Sequence, residues 1–345
     1  MIPIQNIYYM LSYAFQVLNE QCYKNIATEQ FNNTGELMAA ILEKGIAIQI
    51  KRGLGKEYIL QTEALSSLQG KIDIAESIKT QSMLRKQLIC TYDEFSVNSI
   101  MNRIIKSTVE LLLRSNISKQ RKKNLRKLMV YFSEVDFIDS YTVNWNVQYN
   151  RNNQTYRMLI SICYLVVKGL LQTQSNGHTK LMDFLDEQRM CRLYEKFILE
   201  YYRKEFKNQI TANASQIPWQ LDNEENSMLP VMQSDIMLQS GEKVLIIDAK
   251  YYEHSTQVQF DKHTLHSGNL YQIFTYVKNK EYELREKDHT VSGMLLYAKT
   301  DEEIYPNNVY QMSGNQITVR TLDLNLPFDE IAGQLNTIAK THFDL

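Results

Sequence analysis

SDIMLQSGEKVLIIDAKYY, residues Ser234 to Tyr252, decides how this chain is read. An apolar run, Val244 to Ile247, leads directly into Asp248 and Lys250, two charges that a strand buried on both faces would exclude. Gly241-Glu242 fits a two-residue hairpin turn of type II′, which calls for Gly at its first central position. That turn pairs Ser240 with Lys243. The same register sets Asp235 directly across from Asp248, with Cβ atoms about 4.5–5.5 Å apart. Lys250 lies two residues beyond Asp248, so its side chain emerges on the same face.

Two ionised carboxylates this close repel, and one takes up a proton unless a cation lies between them. A divalent ion resolves the conflict. Mg²⁺ takes one or two carboxylates and keeps several waters, which leaves positions for a phosphate and an attacking water. Mn²⁺ is the natural substitute. Lys250 is then placed to orient the water or to stabilise charge on phosphoryl oxygens. Asp-x-Lys alone is also what a surface ion pair looks like; the facing Asp235 and the apolar run into the site favour the metal reading.

The elements around this hairpin make an α/β unit. Before it, Phe184 to Phe206 has the spacing of a long amphipathic helix. Strands are expected near Ile217–Leu221, at Val231–Gln239 and at Lys243–Lys250. A helix over Ser267–Lys280 follows, with Ser267 as its N-cap, and then a buried strand at Ser292–Lys299. On the helix, Gln272 and Tyr276 are four apart and share a face. Glu195, on the upstream helix, offers a third carboxylate. His254, His263 and His266 match no ligand spacing and read as loop residues near the site.

The first half alternates differently. Ile7, Met10, Leu11, Ala14, Phe15 and Leu18 mark one face of a helix, and a second helix covers Thr34 to Glu43. Gly45–Arg52 and Lys56–Leu65 alternate apolar and polar around Gly53-Leu54-Gly55 and read as a hairpin, whose tip, KRGLGKE, is a surface turn or a partner contact. Gly70–Ile78 and Lys86–Phe95 are further strand candidates. Helices follow at Ser99–Arg114, Ser118–Phe132 and about Arg157–Thr173. The fold class is therefore α/β overall, an α+β domain over 1–177 followed by an α/β domain over 178–345, divided near Gly177.

Composition narrows the class. With 44 % apolar residues the chain can bury an ordinary core, and a net charge of −1 leaves nucleic-acid binding to local patches. Only five Pro and twelve Gly imply few long loops. Cys22, Cys90, Cys163 and Cys191 lack CxxC or zinc spacing and read as free thiols. Neither a signal-peptide pattern nor an apolar run of about 20 residues occurs, so a cytoplasmic protein with no membrane association is expected. Lys119 to Lys127 holds six cations in nine residues. Read as a helix, it spreads charge around most of its circumference, with Leu125 and Leu128 inward; it faces phosphates, an acidic partner or solvent.

The whole arrangement resembles the PD-(D/E)xK nuclease superfamily, with Asp235 as the first acid and Asp248-Ala249-Lys250 as its (D/E)xK element. Gln272-x-x-x-Tyr276 resembles the QxxxY element of the RecB-like branch. Ordered blocks are similar to McrC, the nuclease subunit of McrBC restriction systems: IPIQNIYYMLSYAF (Ile2–Phe15), NRIIKSTVELLL (Asn102–Leu113), LYEKFILEYYRKE (Leu193–Glu205), IIDAKYY (Ile246–Tyr252) and NLYQIFTYV (Asn269–Val277). The stretch after Tyr297 carries no such likeness.

The resemblance implies a Mg²⁺-dependent endonuclease subunit acting on modified double-stranded DNA. Asp235, Asp248 and Glu195 would be its metal ligands, and Lys250, Gln272 and Tyr276 would complete the site. It further implies a separate AAA+ GTPase ring, on which the N-terminal region docks and whose hydrolysis it stimulates. GTP would be used by that partner, because no GxxxxGK[ST] loop is present here. Two other readings are an adaptor that activates a ring NTPase without chemistry of its own, and a stand-alone RecB-like repair nuclease. The first predicts stimulated GTPase without cuts; the second predicts cuts without partner or nucleotide.

Overall fold

The computed structural model describes residues 2–15, 18, 23, 26, 29–139, 142–151, 153–175, 187–222, 228–252, 257–259, 262–299 and 305–345, without the side chains of 168–175, 187–189, 257–259, 262 and 263. They form two compact units, one of residues 31–183 and one joining residues 1–30 to 184–345. The boundary expected at Gly177 falls outside the described residues. The first thirty residues, expected in the N-terminal domain, belong instead with the C-terminal part. The reason is packing: an apolar helix face is buried wherever a matching surface exists, at any distance in sequence. Helix α1 (Ile4–Ala14) buries Ile7, Met10 and Leu11. Its Tyr9 ring stacks on Phe328 at 4.5 Å, and Tyr13 meets Phe197 and donates to Glu205 Oε1 at 2.8 Å. The Asn6 amide donates to the carbonyls of Leu324 and Leu326, both at 2.8 Å.

In the 31–183 unit, α2 runs from Thr34 to Arg52, capped by Asn33, whose Oδ1 accepts the Glu36 N–H at 2.9 Å. The expected hairpin over Gly45–Leu65 is therefore corrected. Ile46, Ile48 and Ile50 alternate like a strand, but Leu42, Ile46 and Gln49 are buried at helical spacing. Three β-branched residues cost a growing helix only tenths of a kcal/mol each, less than the core burial gains. KRGLGKE is consequently the end of a helix and not a hairpin tip. Strands β1 (Glu57–Leu65) and β2 (Lys71–Asp73) flank β3 (Leu88–Ser96) in an antiparallel sheet. The rest of the Gly70–Ile78 strand candidate is helix α3 (Ile74–Lys79), which Asp73 caps through the Glu76 N–H. Helices α4 (Ile100–Arg114), α5 (Lys119–Met129) and α6 (Tyr156–Ser175) lie where the sequence placed them.

The other unit centres on a mixed six-stranded sheet. Helix α7 (Glu187–Glu205) precedes β4 (Thr211–Asn213), the short β5 (Gln216–Ile217) and β6 (Met232–Gln233), then β7 (Ile236–Ser240) and β8 (Lys243–Lys250). After β9 (Gln257–Gln259) and β10 (Lys262–Thr264) come α8 (Ser267–Glu283), β11 (Thr290–Ala298), β12 (Asn308–Met312), β13 (Asn315–Leu322) and α9 (Phe328–Phe343). The sheet order is β12-β13-β11-β8-β7-β4, with β11 parallel to both β8 and β13. Three expectations shift. The strand at Ile217–Leu221 shrinks to two residues, and Val231–Gln239 breaks at Ser234-Asp235 into β6 and β7, which join different sheets. Ser267 is the first helical residue of α8 and not its cap; His266 precedes it without a capping hydrogen bond. The stretch after Tyr297 supplies two strands of the main sheet and a covering helix.

One close approach sets the distance between α8 and the sheet. A Cβ on Gly293 of β11 would meet Ile273 Cγ1 at 2.8 Å and Val277 Cγ2 and Ile317 Cδ1 at 2.9 Å, all buried. Gly293→Ala forces α8 outward. Overpacking of this kind costs roughly 1–3 kcal/mol, which urea unfolding of the variant should show as a lower midpoint at unchanged slope.

Candidate active site

The turn at Gly241-Glu242 folds as expected. Gly241 takes φ 57°, and Glu242 is not among the described residues with positive φ, the pattern of a type II′ turn. Ladder pairs run from Ser240–Lys243 to Ile236–Ile247. Pairing stops one position short of Asp235 and Asp248, because the chain leaves the sheet there. The Asp235 carboxylate takes over the ladder's role: its Oδ2 accepts the Ala249 N–H at 2.9 Å. Asp235 is thereby fixed against the end of β8, close enough to Asp248 to act on its ionisation.

Asp248 is 1 % exposed, in the middle of the sheet between β7 and β11. Lys250 Nζ lies 2.9 Å from its Oδ2, at ion-pair distance but without hydrogen-bond alignment. Both Asp248 oxygens are thus buried without an aligned donor. Burial, opposed by the Lys250 ammonium and reinforced by Asp235, raises the Asp248 pKa from its ordinary value to about 7. For Lys250, burial works against the charge, but the Asp248 carboxylate outweighs it and holds the side chain as an ammonium.

The side chains singled out in the sequence assemble around this pair. Lys250 Nζ donates to Gln272 Oε1 at 3.3 Å, and Gln272 Nε2 donates to the Tyr276 hydroxyl at 3.0 Å, an amide orientation assigned from the network. The i,i+4 spacing on α8 thus makes a brace behind the lysine. Glu195 comes from α7. Burial raises its pKa first and Asp235 second, with Lys250 opposing. Cys191, one turn earlier, donates its thiol to Glu195 Oε1 at 3.0 Å, and burial and Glu195 push that thiol up to about 12. The sequence reading counted Cys191 only as a scattered thiol; its i,i+4 spacing from Glu195 was the available signal.

Asn269 was also missed. It is buried, donates to the Tyr297 hydroxyl at 2.9 Å and accepts from Tyr252 at 3.3 Å, which anchors the start of α8 beside the charged pair. No periodic pattern in the sequence announces this contact, since it bridges a helix, a strand and the residue two past the end of β8. His266 stands at the start of α8 with its ring 5.4 Å from that of Tyr252; His254 and the His263 side chain lie outside the described residues. Cys90 and Cys163 are buried free thiols and Cys191 is a free thiol, whereas Cys22 lies outside the described residues.

The donor set fits a hard divalent cation. Two carboxylates meet at the end of one hairpin, and one of them has no aligned donor for either oxygen. Among the described residues no group of three His, Cys, Asp or Glu is preformed as a metal cage. Asp235 and Asp248 are the two that fit, which is within the number Mg²⁺ takes from protein.

Residues 5–298 match the family described as McrBC 5-methylcytosine restriction system component. The chain belongs to that family. A curated relative in it, the type IV methyl-directed restriction enzyme EcoKMcrBC of Escherichia coli (strain K12), is 30 % identical over 331 residues, 94 % of this chain and 93 % of the relative. Two solved structures from Thermococcus gammatolerans are similar to this McrBC-family chain. The first is a half-complex of McrB AAA+ hexamers with bound McrC: 18 % identity, TM-score 0.49, 97 % of this chain and 76 % of that one. The second is the McrBC complex: 20 % identity, TM-score 0.42, 59 % of each. Among the described residues no helix is long and apolar enough to cross a membrane.

The raised pKa of Asp248 has a measurable consequence. In metal-free protein, folding holds the Asp248 proton more tightly than the unfolded chain does. Its contribution to stability is therefore complete below the ordinary pKa of 3.8 and lost as pH rises through about 7. Asp248→Asn has no such proton. The stability difference between the two proteins should move in the variant's favour from pH 4 to pH 8, on the order of 1.4 kcal/mol for each pKa unit. Urea melts in EDTA at both pH values test this; a pH-independent difference would refute it.

Proposed function

We propose that this chain is the Mg²⁺-dependent DNA endonuclease subunit of a GTP-dependent, modification-dependent restriction complex, and that it works with, and stimulates, an AAA+ GTPase ring. The observation that carries the nuclease reading is the buried Asp248 carboxylate, without aligned donors, beside Asp235 and Lys250. A structural carboxylate buried this deeply would be satisfied by hydrogen bonds. Family membership supports the restriction role, and the names of the relatives, a methyl-directed restriction enzyme and McrB AAA+ hexamers with bound McrC, support the partner.

Asp235 and Asp248 would hold the Mg²⁺, with Glu195 of α7 as a further carboxylate, and Mn²⁺ would serve in its place. The ion supplies Lewis acidity and a more acidic bound water. The protein's own groups do the rest. Asp235, pinned by the Ala249 N–H, keeps one oxygen for the site. Lys250, held as an ammonium and braced by Gln272 and Tyr276, presents positive charge to phosphoryl oxygens as the phosphodiester is attacked. An ammonium has no lone pair to accept a proton, so this arrangement favours charge stabilisation over general-base work for Lys250.

The test uses purified chain, its AAA+ partner, Mg²⁺ and GTP on methylated and unmethylated plasmid, with cleavage and GTP hydrolysis read together. Asp248→Ala should lose cleavage by at least about 10²–10³-fold and keep full GTPase stimulation. Gln272→Ala, which removes only the brace, should lose roughly 10–100-fold. Full cleavage by Asp248→Ala would refute the site; stimulated GTPase with no cuts from wild type would turn the reading to an adaptor.

A further inference from the structure

The basic run in α5 is unused by the site described above. The sequence suggested charge around most of the helix, but the structure sorts it. Arg121 is drawn inward, with its guanidinium 2.9 Å from Glu43 Oε2 and 3.5 Å from Glu36 Oε2. Asn124 donates to Glu43 Oε1 at 2.9 Å, and Leu125 is fully buried. The five remaining cations, Lys119, Lys122, Lys123, Arg126 and Lys127, fall at i, i+3, i+4, i+7 and i+8, a single stripe on the opposite side. Four are exposed and Lys122 is partly so, and among the described residues none of the five forms an ion pair. No acidic residue occurs between Arg114 and Glu134. In a chain whose net charge is −1, this stripe is a local concentration of positive charge.

We propose that this stripe is a sequence-independent contact for the phosphodiester backbone of duplex DNA, in a different unit of the chain from Asp248. The inference rests on the reading of DNA as the substrate. Three features favour DNA over a protein partner. Protein interfaces have an apolar core depleted of Lys, and all five positions of the stripe from Lys119 to Lys127 are cationic, the exposed Val130 and Tyr131 lying past its end. The spread from Lys119 to Lys127 is about 12 Å at 1.5 Å per residue, the reach of three to four phosphates of one strand at about 3.4 Å each. The inward pairs to Glu36 and Glu43 fix the rotation of the helix, so the stripe is presented already ordered.

The experiment measures binding of full-length chain to an unmethylated duplex by fluorescence anisotropy, in EDTA, across 50–200 mM salt as the titration range for counterion release. Lys122→Gln, Lys123→Gln and Arg126→Gln are combined in one variant. Each phosphate contact contributes about 0.9 to the slope of log K against log salt. The combined variant should flatten that slope by up to about 3 and bind about tenfold or more weakly at the low-salt end. A second variant that keeps the charges, Lys122→Arg with Lys123→Arg and Arg126→Lys, should bind like wild type. Unchanged affinity and slope in the neutralised variant would overturn the proposal. Equal loss in both variants would overturn it too, since charge would not be the cause. So would intact DNA binding with lost GTPase stimulation, which would make the stripe a partner surface. Because binding is read without metal, a wild type that never cuts DNA would sink the nuclease reading and leave this result standing.

Discussion

A two-residue turn holds the site together. With Gly241 at φ 57° the chain reverses in the fewest residues possible, and the register of β7 against β8 follows without freedom. A slip of one residue would flip every side chain of β7 to the other face. Met237 would leave the core shared with α8, and Asp235 would leave the end of β8. The apolar content of both strands makes that slip costly, so core packing and site geometry are enforced by the same pairing.

Within that frame the charges conflict with the core around them. Asp248 occupies a strand interior with Ile246 before it and Leu295 beside it, and burial alone favours its neutral form. Lys250, 2.9 Å away, offsets this only in part, because burial is the larger effect on Asp248. Deep packing therefore leaves a carboxylate paired with Lys250 but with no aligned hydrogen-bond donor on either oxygen, a cost to stability that a purely structural site would have removed. The brace of Gln272 and Tyr276, the pinning of Asp235 by Ala249 N–H and the anchoring of α8 by Asn269 keep these groups in place. Gly293 matters for the same reason: without a Cβ, it lets α8 come close enough for Gln272 to reach Lys250.

What could be read in advance follows the range of the interactions. Local signals served well. The II′ turn, the Asp-x-Lys face and the Gln272–Tyr276 spacing are all set within a few residues, and each is present in the structure. The one cap expected fell a residue off: His266, not Ser267, precedes α8. Signals whose meaning depends on distant partners failed. The Ile46-Ile48-Ile50 alternation is ambiguous until the core against which Leu42 and Ile46 pack is known. The break at Ser234-Asp235 is invisible in a continuous strand-like run, because it arises from β6 and β7 joining different sheets.

The sequence, then, determined the hairpin, its register, and the residue types that gather at its end, because turn chemistry and the period of two act over short range. It also carried enough likeness along most of its length to name the family. Only the tertiary structure decided that residues 1–30 belong with the C-terminal unit, that the stretch after Tyr297 completes the main sheet, that Cys191 and Asn269 stand beside the charged groups, and that the cations of α5 form one stripe. The first of these depends on surfaces that meet across hundreds of residues, and the others on which elements pack together. Such meetings are set by complementary apolar faces and buried hydrogen bonds, and a local pattern, such as the spacing of Cys191 from Glu195, shows which residues share a face but not what that face meets.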